Sequence, residues 1–167
     1  MSPRKVSVLL DGAGRRSIGR ADEVAGLVLK QPKLFRELIR CLWHDDSLIR
    51  MRAADAAEKV SAQKPQLLAR YKSQLLGLLA ETTQIELRWH LAQMVPRLKL
   101  TPRERQRAAA SFRRYLEDRS SIVRTWRSTR SRNFLKMARR SAPKRGNSSK
   151  KPSAPAPPRC VFAPANC

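Results

Sequence analysis

Four places along the chain carry side chains that could do chemistry. Cys41 and His44 lie one helical turn apart beside Asp45 and Asp46, a donor set that could ligate a divalent metal. His90 stands one turn after Glu86, the spacing of an acid–base pair on a helix surface. Trp43, Trp89 and Trp126 each have arginines nearby, the combination that stacks on nucleic-acid bases. The stretch DGAGRRSIGR, residues 11–20, supplies glycines and arginines of the kind that cradle phosphate.

Each of these has a plainer structural account. The aspartates are placed to cap a following helix, and Cys41 borders an apolar face. No serine or cysteine nucleophile is placed beside His90, so His90 and Glu86 read as a surface pair. The glycine-rich stretch follows no strand and lacks the spacing of a phosphate loop. Trp43 ends a leucine-rich helix and reads as core, whereas Trp89, beside Arg88, reads as exposed. No catalytic, cofactor-binding or metal-binding residue is therefore assigned.

The elements that would position these residues are helices. Apolar residues recur at intervals of three and four in Leu34, Phe35, Leu38, Ile39 and Leu42, in Ile49, Ala53, Ala57 and Val60, and in Leu67, Leu68, Tyr71, Leu75 and Leu79. Alternation with period two is never sustained. Pro32, Pro65 and Pro102 suit first helical turns, where a missing N–H costs nothing. Thr101 and Glu104 have capping-box spacing.

Composition sets the outer bounds. The 167 residues make one domain with a modest core. Cys41, Cys160 and Cys167 form no Cys-x-x-Cys pair and leave one over, so neither a disulfide framework nor a cysteine zinc site is expected. No apolar run has the length of a membrane span or the form of a signal peptide, and a cytoplasmic protein is expected. The net charge of +23 points toward nucleic acid or an anionic surface, but its distribution is uneven. From Ser121 onward there are 12 basic residues and no acid. With its prolines and Ser/Lys cluster, that tail has the composition of a disordered segment.

Self-comparison exposes a repeat. LIRMRAADAAEKV at 48–60 aligns with ELRWHLAQMVPRL at 86–98 and with IVRT at 122–125, so that Arg50, Arg88 and Arg124 correspond, 38 and 36 residues apart. Each segment follows a leucine-rich helix and a short polar turn, as in a stacked helical array. DDSLIRMRAADAAEKV resembles the second helix of a HEAT repeat; TTQIELRWHLAQMV is a weaker likeness that lacks the turn aspartate and carries Pro96. The likeness spans residues 18–126. It implies a short right-handed α-solenoid of about three antiparallel helix pairs, preceded by a helix near 18–29 and a flexible leader, residues 1–17. It also implies a stacking ladder between turn carboxylates and arginines, formed by Asp45, Asp46, Arg50, Arg88 and Arg124.

The third unit breaks the pattern. After Val123 its seam positions fall on Arg127, Ser131 and Phe134, and an unpaired guanidinium is too costly to bury. A one-base slip of the reading frame near Trp126, reversed with one allowed choice of codons, restores small or apolar residues at every seam position. Residues 127–167 therefore read as the frameshifted product of a HEAT-repeat gene, with a native basic disordered tail as the alternative.

The resemblance implies a non-catalytic scaffold that binds another macromolecule, most simply a protein, without a cofactor. Its contact residues are expected on the second helices, at Arg52, Lys59, Trp89, His90 and Gln93, and on the basic helix TPRERQRAAASFRRY, through Arg105 and Arg113. Nonspecific nucleic-acid binding through that helix and the tail is the rival expectation. A DNA-repair variant resembling the alkylation-repair glycosylases would draw on Asp55, Glu58 and Trp89, while the HEAT-like phycobilin lyases find support only in the repeat. An incomplete last repeat should leave Phe112 and Leu116 partly uncovered and favour self-association.

Overall fold

A computed structural model describes residues 4–11 and 19–117. Seven α-helices account for most of them: α1 (Arg4–Leu10), α2 (Ala21–Lys30), α3 (Phe35–Arg40), α4 (Ser47–Gln63), α5 (Lys72–Glu81), α6 (Ile85–Met94) and α7 (Pro102–Glu117). Short 3-10 turns at Pro32–Leu34, Cys41–Trp43, Pro65–Tyr71 and Val95–Arg97 join or extend them. No strand occurs among the described residues, and none of their helices is long and apolar enough to cross a membrane.

Local chemistry sets the boundaries. The Oδ1 of Asp46 accepts from the N–H of Leu48 at 2.7 Å and caps α4. At α7 the box is reciprocal: Thr101 N–H donates to Glu104 Oε2 at 2.8 Å, and Glu104 N–H donates to Thr101 Oγ1 at 3.3 Å. Pro32 and Pro65 open 3-10 turns and Pro102 opens α7. Pro96 has no N–H to give, so α6 stops at Met94, after 10 residues against the 17 of α4, and the chain tightens into a 3-10 turn.

The helices stack pairwise in series. Along one layer α2 lies on α4 and α4 on α6; across the layers α3 lies on α4 and α5 on α6, and α7 continues from α5. All eight expected seam residues are buried: Ile49, Ala53, Ala57 and Val60 on α4, and Leu87, Leu91, Val95 and Leu98 from α6 into the following turn. Alanines at 53, 54, 56 and 57 let neighbouring helices approach closely, and leucines fill the remaining space at about 1.5–3 kcal/mol each.

Two expectations need correction. The supposed leader contains α1, which packs on α2, α4 and α3 with Val6 and Leu10 buried, and the next helix begins at Ala21. Phe112 is fully buried, held edge-on to Tyr115 with ring centroids 6.2 Å apart. The third seam, Arg124 and the proposed frame slip lie outside the described residues.

Candidate functional site

The matching arginines do equivalent work. Arg50 NH1 donates to the carbonyl of His44 at 2.7 Å and of Asp45 at 2.9 Å, tying α4 to the turn before it. Arg88 Nε donates to the carbonyl of Thr82 at 2.9 Å, again six residues upstream. Each also reaches onward. Arg50 Nε donates to Gln84 Oε1 at 2.9 Å, while Gln84 Nε2 returns to the carbonyl of Ser47 at 2.8 Å. Arg88 lies over the Tyr115 ring, 4.7 Å from its centroid. The onward partner of Arg50 is thus an amide, Gln84, standing where the preceding repeat has Asp46. The carboxylate of Asp46 caps its own helix, and Asp45 contributes its carbonyl.

The surface expected on the second helices is largely spoken for. Arg52 is only 1% exposed; it passes beneath Gly19 and donates to the carbonyl of Leu10 at 2.7 Å, at the end of α1. His90 is also buried, with its Nδ1 unpartnered and its ring 4.6 Å from that of Trp89. Burial holds its pKa below the ordinary value, against the opposing pull of Asp55 and Glu58. Both were expected to contact a partner, and both instead face other helices of the stack. Lys59 binds Asp22 and Asp55; burial lowers its pKa, but those two bonds outweigh burial and raise it. Gln93 is half-buried and Arg105 donates to the carbonyl of Leu100 at 3.1 Å, leaving Trp89 and Arg113 as the exposed members of the expected surface.

The remaining chemical candidates are similarly occupied. Asp55 is paired with Lys59 at 2.7 Å, and Glu58 with Arg97, so neither carboxylate of the repair-type constellation is free. Burial, and then the nearby Glu37, push the Cys41 thiol up to about 11. His44 Nδ1 accepts the N–H of Asp46 at 3.0 Å, and no cluster of three metal-capable side chains occurs among the described residues.

The open site lies on the other layer, between the first helices of adjacent pairs. Arg36, Arg40 and Trp43 form one wall, at successive turns of α3 and its 3-10 extension; Gln74 and Glu81 form the other, along α5, with Gly77 on the floor between them. Ile39, Tyr71 and Leu78 supply the apolar floor of this groove of about 480 Å³. Gly77 keeps it open, since a Cβ there would meet no atom within 4 Å. Trp43 is 46% exposed, which corrects its assignment to the core. The guanidiniums of Arg36 and Arg40 are exposed and make no hydrogen bond or ion pair among the described residues.

A second hollow of about 380 Å³ adjoins the first through Trp43, Leu78 and Glu81, and is bounded by the turns containing His44 and Thr83. The sequence signal for the groove was available. Arg36 and Arg40 lie off the face made by Phe35, Leu38, Ile39 and Leu42, whereas Trp43, four residues after Ile39, borders it by α-helical spacing. Scans against protein-family models, curated proteins and solved structures give no significant match to this chain.

Proposed function

We propose that the chain is a non-catalytic scaffold of the HEAT-repeat type, acting in the cytoplasm and binding a protein partner along its first-helix layer. The observation that carries this reading is the open groove between α3 and α5, with Trp43 half-exposed on an apolar floor. Tryptophan and arginine beside a hydrophobic floor make up the composition of interface hot spots. The carboxylates best placed for catalysis are engaged in ion pairs, Asp55 with Lys59 along α4 and Glu58 with Arg97 in the turn after α6.

The test is affinity capture with the wild-type chain and with Trp43→Ser, followed by a binding measurement on the purified partner. Loss of about 2 kcal/mol or more in Trp43→Ser supports the reading. Equal affinity for both proteins removes the groove from it.

Nucleic acid is the second reading, favoured by α7, where Arg103, Arg107, Arg113 and Arg114 are all exposed. It requires a steep salt dependence, with log affinity falling by about 0.9 per phosphate contact against log salt on duplex DNA. Replacing Arg103 and Arg107 with glutamate should then flatten that slope by about two contacts.

A further inference from the structure

The groove has a charge pattern as well as a shape. Arg36 and Arg40, one turn apart on α3, present along the same wall two guanidiniums that are unpaired among the described residues. Among the described residues the carboxylate lining this groove is Glu81, at the far end beside Trp43 and Leu78, where the two hollows meet; the second hollow adds Asp45. The chain's own tail is a poor occupant, because residues 121–167 hold 12 basic side chains and no acid. The complementary ligand carries carboxylates one turn apart, aliphatic side chains on the adjoining face, and a cationic or neutral end.

We infer that the α3–α5 groove takes an acidic, leucine-bearing helical segment of a partner protein, with its carboxylates on Arg36 and Arg40 and its aliphatic side chains over Trp43 and the bare floor at Gly77. This deepens, and rests on, the scaffold reading. A helix suits the site because acidic residues at i and i+4 match the spacing of Arg36 and Arg40. Glutamates toward its N-terminus and a lysine toward its C-terminus also suit its dipole, and place the lysine near Glu81. The volume admits a few side chains laid into it from a narrow element. Specificity comes from the two arginines, and affinity comes chiefly from apolar burial around Trp43.

The experiment uses the full-length protein and a fluorescein-labelled synthetic amphipathic peptide of about four helical turns. This peptide carries two glutamates one turn apart and leucines on the neighbouring face; a matched peptide has lysines in place of the glutamates. Anisotropy is read at about 0.15 M salt, where long-range attraction between charges is screened. The wild-type chain should prefer the glutamate peptide, and the double variant Arg36→Glu/Arg40→Glu should bind it about tenfold or more weakly and gain affinity for the lysine peptide. Gly77→Leu should weaken the glutamate peptide by filling the floor, with circular dichroism confirming an intact fold. Failure of the glutamate peptide to bind, or equal binding to wild type and the double variant, overturns the inference. Duplex DNA that loses affinity in the double variant while the peptide does not would assign the groove to a polyanion and overturn it too. A captured protein partner that binds the double variant undiminished overturns the inference and leaves the scaffold reading standing.

Discussion

Replacing Gly19 with alanine should destabilise the fold through a side chain that begins on another helix. Gly19 has φ of +59°, and a Cβ there would lie 2.9 Å from Arg52 Nε and 3.1 Å from its Cζ. The left-handed conformation costs a non-glycine residue about 1–2 kcal/mol. The clash adds to this, because Arg52 is 1% exposed and its NH1 is fixed on the carbonyl of Leu10. Displacing that buried, charge-assisted hydrogen bond costs about 1.5–3 kcal/mol. Gly19→Ala should therefore cost about 2.5–5 kcal/mol, a fall of about 2–4 M in the urea midpoint for a domain of this size. In an Arg52→Met background the guanidinium is gone and a flexible methyl can swing aside, so the same glycine substitution should cost only its backbone part, about 1–2 kcal/mol. Urea unfolding of the four proteins measures the coupling, and exchange of the Asp11 amide, which bonds to the Ser7 carbonyl at 2.9 Å, reports whether α1 has detached. Additive costs, or a Gly19→Ala protein as stable as wild type, would refute the argument.

Other outcomes follow from the buried polar groups. Tyr115→Phe deletes the hydroxyl that donates to the Leu79 carbonyl inside the stack and should cost about 1–2 kcal/mol in urea unfolding, while Arg88 keeps an aromatic face. Burial lowers the His90 pKa from its ordinary 6.5, so the unfolded chain takes up its proton first as the pH falls. Stability should then decline from about pH 7 to about pH 5.5, a slope that His90→Gln should reduce and that urea midpoints across that range will show. Because the Cys41 thiol is pushed up to about 11, iodoacetamide at about pH 8 should label it far more slowly in the native protein than in urea, as followed by mass spectrometry of its peptide. Equal rates in the two conditions would contradict its burial.

The parts of the fold that were legible in the sequence are those decided within one repeat. The seam of α4 needed only the spacing of Ile49, Ala53, Ala57 and Val60, and the start of α7 needed only Thr101 and Glu104. Arg50 and Arg88 were paired by a sequence offset and make the same upstream contact. What resisted reading depends on neighbours distant in the chain. Arg52 sits on the flank of the α4 seam, and its burial is decided by Leu10, 42 residues earlier. His90 flanks the α6 seam beside Leu87 and Leu91, and closure by the adjoining helices takes it out of solvent. Trp43 escaped because the chain leaves α-helical geometry at Cys41. A 3-10 turn advances about 120° per residue against about 100° in an α-helix, which swings this side chain away from the leucine face.

The central claim is that binding takes place on the first-helix layer, at Trp43. The most direct measurement is fluorine NMR of the full chain labelled with 5-fluorotryptophan, whose three tryptophans are assigned by single substitution and then followed as the captured partner is added. The account predicts a shifted or broadened Trp43 resonance at substoichiometric partner, with Trp89 unmoved. Perturbation confined to Trp89 or Trp126 would place the interface elsewhere and contradict it.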